Sequence, residues 1–315
     1  MDSFALRRLA QYATLLILVS VIGFGVLHLA PGGPMAQMGG GEMNSDDMAR
    51  LEHQLGLDQP LPVQYAEWLG HIARGDWGRS YRDGQPVLSV IGSHLGATLE
   101  LMGTALLVAI VLGGLVGIAG AIYRYSWFDI STTFLSMVLV SIPTFWIGFV
   151  VIYFFSVKLG WLPAGNRSTI GEHSLLDFLW HLIAPATVLA IVNMASWSRY
   201  IRASMLEVIE QDYIRTARAK GLSRVRILFG HTLRNALLPM ITIAGLHLPA
   251  LLGGALVAET VFTWPGMGRL FLDSISYRDY PVIMGVLMFG AVFVLLGNFV
   301  ADVLYGVVDP RVRLR

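Results

Sequence analysis

Cysteine is absent from this chain of 315 residues, which excludes disulfide bonds, thiolate catalysis and cysteine-ligated metal sites. Charge is also scarce, because only 14% of the residues are charged while 55% are hydrophobic. A soluble domain of this length does not need so many hydrophobic residues and so few charged ones. The composition therefore indicates a membrane protein with several spans.

The sequence also lacks the motifs of catalytic sites. No glycine-rich loop ends in Lys-Ser or Lys-Thr, which excludes nucleotide binding through a P-loop. The eight histidines do not have the paired spacing of a zinc site, and neither a serine nucleophile elbow nor a pair of acidic residues indicates hydrolysis. We therefore predict a chain that is not an enzyme and has no catalytic residue, metal or cofactor.

Six apolar runs are each close to the ~20 residues that a bilayer requires. They must be helical, because backbone amides in lipid have to bond within their own segment. The first run is too long for the core of a signal peptide, so we expect an uncleaved helix. The predicted class is an all-α membrane protein with six transmembrane helices, at about 9–30, 99–123, 130–157, 179–198, 236–258 and 282–305.

Arginine and lysine set the expected orientation, because cytoplasmic loops retain them. With six crossings, the basic residues of the two termini, the turn at Arg124 and the stretch 199–234 all fall on one side. An odd number of spans would separate the basic C-terminus from the others. We therefore predict that both termini are cytoplasmic.

The segment 31–98 is the largest piece predicted outside the cytoplasm. Ser45 is placed to cap one helix, and Pro60 and Pro62 are placed to open another. We expect a small folded extracytoplasmic cap rather than an unstructured loop.

The most basic stretch of the chain, Glu210–Pro239, lies between the fourth and fifth runs. Asp212 can cap a first short helix, Gly221 can end it in the left-handed conformation, and Ser223 can cap a second. The helical period predicts one shared side in each helix. These sides hold Tyr213, Ala217 and Leu222 in the first helix, and Val225, Leu228 and Thr232 in the second.

This stretch could simply be a basic loop that fixes orientation. Its residues, however, resemble the EAA loop of the permeases of ABC importers, in the form found in the dipeptide, oligopeptide and nickel branch. Arg215 and Thr216 stand where the generic pattern has Glu and its first Ala. This departure from the generic pattern resembles the sequences of the peptide branch. The matching segments are YIRTARAKGL at 213–222, LRNA at 233–236, LGLDQPL at 55–61, GDWGRS at 75–80, AETVFTWPGMGR at 258–269 and DPRVR at 309–313.

The resemblance covers nearly the whole chain. Within the family, the chain looks like the first of the two permease subunits that such systems pair. Gly33 departs from it, since many relatives have Asp there, and no role of that acid is carried over. The implied fold is that of type I ABC importer permeases, with 1–315 as a single transmembrane permease domain. Within it, 31–98 is the cap and 199–235 is a cytoplasmic coupling region.

The resemblance also implies partners and a docking surface. The expected partners are a second, homologous permease in a heterodimer, two cytoplasmic ABC ATPases, an extracytoplasmic substrate-binding protein and the bilayer of a bacterial or archaeal inner membrane, with no nucleic acid. The residues expected to contact an ATPase are Asp212, Tyr213, Arg215, Thr216, Arg218, Ala219, Lys220, Gly221 and Leu222.

Polar side chains at membrane depth are costly and often mark a pathway. Asn193 lies in the fourth run, and Asn298 and Asp302 lie one helical turn apart in the sixth. They could line a translocation cavity or a subunit seam, or they could only join helices by hydrogen bonds. His181 and His247 are better explained as packed side chains bonded to backbone carbonyls than as ligands.

Small and rigid residues within the runs predict close contacts and bends. The glycines permit helices to approach each other, within the subunit or against a partner, and the prolines would bend the third and fourth runs. The residues concerned are Gly113, Gly114, Gly117, Gly120, Gly253, Gly254, Pro143 and Pro185.

Several functions remain open at this point. The resemblance favours import of di- or oligopeptides, with nickel chelates or glutathione as alternatives within the same family. A secondary transporter driven by an ion gradient would usually have inverted repeats and ionisable residues at the midplane, which this sequence does not show. An intramembrane enzyme is disfavoured by the missing catalytic sets.

Overall fold

The computed structural model describes residues 2–31, 33–34, 44–172, 174–237 and 255–308, without the side chains of residues 2–7, 9, 45 and 301–308. The described residues are mostly helical and contain no β-strand, only an isolated bridge between Arg79 and Pro86. They form two compact units. The first holds the described parts of Met1–Gly96 and Gly266–Leu295, and the second those of Ala97–Pro265 and Leu296–Arg313.

The helices are numbered in chain order. Two segments wind as π-helices, Ile152–Lys158 directly after α6 and Ile227–Leu233 directly after α9. The α-helices are α1 Asp2–Leu29, α2 Ser45–Gln54, α3 Leu61–Ala73, α4 Val87–Ile122, α5 Trp127–Ser141, α6 Thr144–Val151, α7 Leu175–Ile209, α8 Asp212–Ala219, α9 Arg224–Arg226, α10 Arg234–Ala236, α11 at 255–261, α12 Met267–Tyr277 and α13 Tyr280–Val308.

Within the described residues, α1, α4, α7 and α13 are each long and apolar enough to cross a membrane. The bent pair of α5 with α6 and its π-helix gives a fifth span if it crosses once. The remaining predicted span, 236–258, falls largely on residues 238–254, outside the described part. The predicted all-α membrane class is confirmed.

Two details of the segment 31–98 differ from the prediction. The helix α4 begins at Val87, so residues 87–98, predicted as part of the cap, belong to the same helix as the second predicted span. Apolar residues continue at helical spacing through this part, but polar residues are scattered among them, so it does not form a uniform apolar run. The cap of α2 is Asn44, which makes no side-chain capping bond, and Ser45 is the first helical residue.

The bend predicted at Pro143 is confirmed. α5 ends at Ser141, Ile142 is extended, and α6 starts after Pro143, with an angle of 101° between the two helical segments. Proline lacks an N–H group, and the residue before a proline avoids the helical conformation, so the chain turns here. Pro185, in contrast, lies inside α7, which continues unbroken from Leu175 to Ile209.

The glycines of α4 permit close contact with α7, as predicted. A Cβ atom on Gly113 would lie 2.9 Å from the carbonyl oxygen of Met194, and one on Gly117 would lie 2.5 Å from that of Ser198. The two glycines are four residues apart and face the same helix. Gly253 and Gly254 lie outside the described residues. The backbones of α4 and α7 therefore meet with no side chain between them at these points.

In the first unit, a buried carboxylate fixes the turn that precedes α4. Asp279, 3% exposed, accepts a hydrogen bond from Ser80 Oγ at 2.5 Å and one from the backbone N–H of Tyr81 at 3.0 Å. Beside it, Arg278 has φ 54° and donates to the carbonyl oxygen of Pro31 at 2.6 Å. Burial raises the pKa of Tyr81 to about 12. The first unit is thus held together by polar contacts between distant segments.

Replacing Asp279 with alanine is expected to lower the free energy of unfolding by about 1–3 kcal/mol, because it leaves a buried hydroxyl and a partly buried N–H group without their acceptor. Hydrogen exchange at the Tyr81 amide measures the local effect. The Asp279→Asn variant keeps one acceptor and gains one donor, so it should retain most of the protection. Equal losses in the two variants would contradict this role of Asp279.

Candidate functional site

The first short helix of the basic stretch is α8, and its N-terminus differs from the prediction. Gln211, not Asp212, occupies the capping position, and it makes no side-chain capping bond. Asp212 is the first helical residue and lies 3.4 Å from Arg215, with Asp212 Oδ1 and Arg215 Nη1 as the nearest atoms. A carboxylate in a first helical turn is still favourable there, since it faces the positive end of the helix dipole.

The C-terminus of α8 agrees with the prediction. Gly221 has φ 76°, in the left-handed region. Its N–H group donates to the carbonyl oxygen of Arg218 at 3.0 Å, and the N–H group of Leu222 donates to that of Ala217 at 3.3 Å. These two bonds form a Schellman motif, which glycine supports because it has no Cβ atom. Ser223 then caps the next helix, as predicted, by accepting from the N–H group of Arg226 at 3.4 Å.

The three residues predicted to share a side of the first helix do not share an environment. Ile214 and Ala217 are buried and form a small apolar cluster with Ile227, against which Leu222 packs. Tyr213 is 45% exposed. The predicted side was correct for Ala217 and Leu222 and wrong for Tyr213, because Ile214 provides the apolar contact instead.

The second predicted side fails for a different reason. Val225 is 66% exposed, Leu228 is half-buried and Thr232 is 1% exposed, so these residues do not share an environment. Only Arg224–Arg226 is α-helical, and Ile227–Leu233 winds as a π-helix. In a π-helix the backbone hydrogen bonds join residues five apart instead of four, so the α-helical spacing behind the prediction does not apply to it.

Eight of the nine predicted contact residues lie together on the solvent-exposed surface around α8. The exception is Leu222, which is half-buried beneath them. Among the described residues, Arg218 and Lys220 have no carboxylate within ion-pair distance, whereas Arg215 has Asp212. We call these eight residues the exposed face of α8: Asp212, Tyr213, Arg215, Thr216, Arg218, Ala219, Lys220 and Gly221. This face is a basic surface on a firmly packed helix.

A buried ion pair near the end of α7 was missed by the sequence analysis. The Arg202 guanidinium donates to both oxygens of Asp129 at 2.5 and 2.7 Å, and Asp129 also accepts from the N–H group of Tyr125 at 2.9 Å. Arg124 forms a second, exposed pair with Glu210 at 3.1 Å. The two pairs hold the turn between α4 and α5 against the end of α7, immediately before α8.

A second buried acid was also missed. Glu259 is fully buried in α11, and Thr98 Oγ1 donates to its carboxylate at 2.6 Å. Next to it, Trp264 Nε1 donates to the carbonyl oxygen of Ala97 at 2.8 Å. The residues lie more than 160 positions apart in the chain, so no spacing in the sequence relates them.

Of the polar residues predicted at membrane depth, the structure describes the side chains of Asn193 and Asn298. Asn193 Nδ2 donates to the carbonyl oxygen of Leu189 in its own helix at 2.8 Å, and Asn298 is half-buried on α13. Asp302 lies on α13 with its side chain outside the described part. His181 is buried and its Nδ1 lies 2.9 Å from the carbonyl oxygen of Asp177, as predicted for a packed histidine, while His247 is outside the described residues.

The first unit contains a further polar pair and a cavity. His53 Nδ1 and Asp58 Oδ2 form a hydrogen bond of 2.7 Å, which raises the pKa of His53 and lowers that of Asp58. A cavity of about 580 Å³ in the first unit is lined by several aromatic residues, including Trp68, Trp77 and Tyr280. No group of three or more potential metal ligands occurs in the part of the chain that the structure describes.

Comparison with protein families gives two matches that together span almost the whole chain. Residues 105–314 match the family described as binding-protein-dependent transport system inner membrane component, and residues 1–102 match the N-terminal region of such membrane components. The chain belongs to this family. The permease is therefore a multi-pass membrane subunit of a transport system. The motifs predicted this same family of permeases.

Curated relatives match the permease over its full length. The oligopeptide transport system permease protein AppB of Bacillus subtilis is 44% identical over 99% of this chain and 100% of that protein. The dipeptide transport system permease protein DppB of Alkalihalophilus pseudofirmus is 40% identical over the same shares. The glutathione transport system permease protein GsiC of Salmonella choleraesuis is 40% identical over 100% of both chains.

A solved structure supports the fold of the permease. An inward-facing form of the MetNI methionine ABC transporter gives a TM-score of 0.57 at 20% identity, covering 70% of this chain and 97% of that chain. At this identity the likeness concerns the fold alone. The permease thus has the predicted type I ABC importer permease fold.

Proposed function

We propose that this permease imports di- or oligopeptides and that the exposed face of α8 docks a cytoplasmic ABC ATPase. The peptide substrate is supported by the relatives named for oligopeptide and dipeptide transport, which match the full chain. The docking surface is supported by its accessibility, because eight residues of the motif face solvent around one short helix. This last observation carries the proposal.

The packing beneath α8 suits a part that transmits movement. Ile214 and Ala217 anchor the helix through their apolar contacts with Ile227, and the Schellman motif at Gly221 fixes its end. ATP binding to a partner can shift the spans only through contacts that differ between two states. A helix packed in this way passes a displacement to α7 instead of absorbing it.

The remaining assembly follows the same proposal. A second, homologous permease completes the pathway, two ATPases bind on the cytoplasmic side, and an extracytoplasmic binding protein delivers the solute to the cap. Both termini and the coupling region 199–235 face the cytoplasm of a bacterial or archaeal cell. In this arrangement the permease binds no nucleotide, and Asn193, Asn298 and Asp302 are candidates for the pathway or subunit seam.

Charge reversal on α8 tests the docking surface. In the complex assembled with its ATPases and binding protein, Arg218→Glu is expected to lower peptide uptake by at least ~10-fold, the effect of losing one strong interface contact. Uptake into proteoliposomes and ATPase activity are measured together. The matched control is Arg226→Glu, an exposed arginine outside the predicted contact set, which should keep wild-type uptake.

Gly221 provides a second test that depends on backbone geometry. Proline cannot adopt φ 76°, so Gly221→Pro should distort the end of α8 and separate ATP hydrolysis from uptake. Gly221→Ala costs only ~1–2 kcal/mol for the left-handed conformation and should retain most of the uptake. Wild-type uptake in an assembled Gly221→Pro complex would contradict the proposal.

Glutathione is a second candidate substrate, favoured by the full-length match to a glutathione permease. Uptake assays with the cognate binding protein distinguish the two. If peptides are the substrate, unlabelled di- or oligopeptide should compete with labelled peptide, and glutathione should not. Competition by glutathione alone would favour the second candidate.

A further inference from the structure

A cavity of about 480 Å³ in the second unit lies within the basic stretch, and it shares only Arg218 and Leu222 with the predicted ATPase contacts. Its apolar wall includes Ile122 at the end of α4, Ile209 at the end of α7 and Leu228 in the π-helix. Two arginines, Arg218 and Arg224, line it as well. The cavity therefore combines an apolar surface with two positive charges.

In the described part of the chain, the two arginines have no anionic partner. Within the described residues, neither the Arg218 nor the Arg224 guanidinium has a carboxylate at ion-pair distance, although other arginines of this unit, such as Arg202 and Arg215, do. A guanidinium forms its strongest hydrogen bonds with carboxylate or phosphate oxygens. Two such groups lining one cavity are complementary to an anion.

Thr232 supplies an independent observation at the same place. It lines the cavity, is 1% exposed, and its hydroxyl has no hydrogen-bond partner among the described parts of the protein. A buried hydroxyl without a partner is unfavourable, and few native groups are left in this condition. The hydroxyl is available as a donor to a ligand oxygen.

The position of the cavity indicates where its occupant comes from. Ile122 and Ile209 are the last residues of two candidate spans, and the Arg124–Glu210 pair joins the chain immediately beyond them. The cavity thus lies at the level where apolar spans give way to charged residues, which is where lipid headgroups meet water. Basic pockets at this level bind anionic lipid headgroups.

We propose that this cavity is a binding site for one anionic phospholipid. The phosphate group lies between Arg218 and Arg224, the Thr232 hydroxyl donates to a phosphate oxygen, and an acyl chain contacts the apolar wall. Such a lipid bridges the ends of α4 and α7 to the segment that follows α8. The site is independent of the transported solute, and its test needs no ATPase.

Native mass spectrometry of the full-length chain measures the binding. The protein is purified in a zwitterionic detergent and titrated with phosphatidylglycerol, and lipid-bound ions are counted. Arg224→Gln should lower the occupancy by ~10-fold, as expected for loss of a charge-assisted hydrogen bond, and Thr232→Val should lower it by ~3-fold for a neutral one. Arg226→Gln, an exposed arginine outside the cavity, is the matched control and should leave the occupancy unchanged.

Two further titrations distinguish the source of the anion. Phosphatidylcholine offers the same acyl chains without net charge and should not be retained, and millimolar inorganic phosphate should not displace phosphatidylglycerol. Equal retention of both lipids, displacement by inorganic phosphate, or equal losses in Arg224→Gln and Arg226→Gln would each overturn the proposal. Circular dichroism confirms that each variant keeps its helical content, and Arg224→Lys, which retains the charge, should bind with intermediate occupancy.

Discussion

The Gly117→Ala variant is expected to unfold more easily than the wild-type protein, by about 1–3 kcal/mol, which is the cost of overpacking a tight contact. The added Cβ atom would lie 2.5 Å from the carbonyl oxygen of Ser198 and 3.0 Å from Ile201 Cβ. Both neighbours belong to the body of α7 and cannot rotate away, so the two helices must separate. Titration with sodium dodecyl sulfate in mixed micelles, followed by tryptophan fluorescence, measures the free energy of unfolding.

Gly103 is the matched control for this substitution. It lies on the same helix, and a Cβ atom there would have no heavy atom within 4 Å. Gly103→Ala should therefore leave the stability unchanged or raise it slightly, because alanine has the higher helix propensity. Similar losses in both variants would mean that the α4–α7 contact does not depend on the absence of a side chain at Gly117.

Replacing Arg202 with methionine is expected to destabilise the protein by about 2–3 kcal/mol. The substitution keeps the apolar stem but leaves the carboxylate of Asp129, 3% exposed, without its partner, and an unpaired buried charge is strongly destabilising. This cost is below the range for a fully buried pair because Arg202 is 27% exposed, and water can reach the vacated site.

A double variant separates the ion pair from simple packing. Arg202→Met with Asp129→Asn removes both charges and should recover more than half of the lost stability. Detergent-induced unfolding of the wild type, the two single variants and the double variant gives the coupling energy of the pair. A double variant as unstable as the sum of the single ones would exclude a direct interaction between the two side chains.

Membrane class and most spans could be predicted from the sequence, because a bilayer requires long apolar helices and hydropathy records them directly. The prediction was less accurate where polar residues interrupt a helix. The first turns of α4, from Val87 to Thr98, were assigned to the cap for that reason. Pro143 was read correctly because its effect on the backbone is local.

The structure of the basic stretch Glu210–Pro239 could be predicted only where it depends on local bonds. Gly221 and Ser223 act through bonds to residues within a few positions, and both predictions are confirmed. The buried side of α8 depends on contacts with Ile227, which belongs to a π-helix, and the α-helical period could not place it. The capping role predicted for Asp212 is wrong, because Asp212 is the first helical residue and Gln211 occupies the capping position.

The polar contacts that join distant segments could not be predicted at all. Asp129 and Arg202 are 73 residues apart, and Thr98 and Glu259 are 161 residues apart. Each is an ordinary polar residue near the end of an apolar run when it is considered alone. Only the packing of the helices brings the partners within hydrogen-bond distance.

The π-helix at Ile227–Leu233 has a consequence for comparing this chain with shorter relatives. A wide turn of this kind holds one residue more than an α-helical turn in nearly the same axial length. Deleting one residue there would restore α-helical hydrogen bonding, and the residues on either side would keep nearly the same faces of the helix. A relative that is α-helical at this segment is therefore to be compared with a one-residue gap inside it, since a comparison without the gap would assign Arg234–Ala236 to the wrong face.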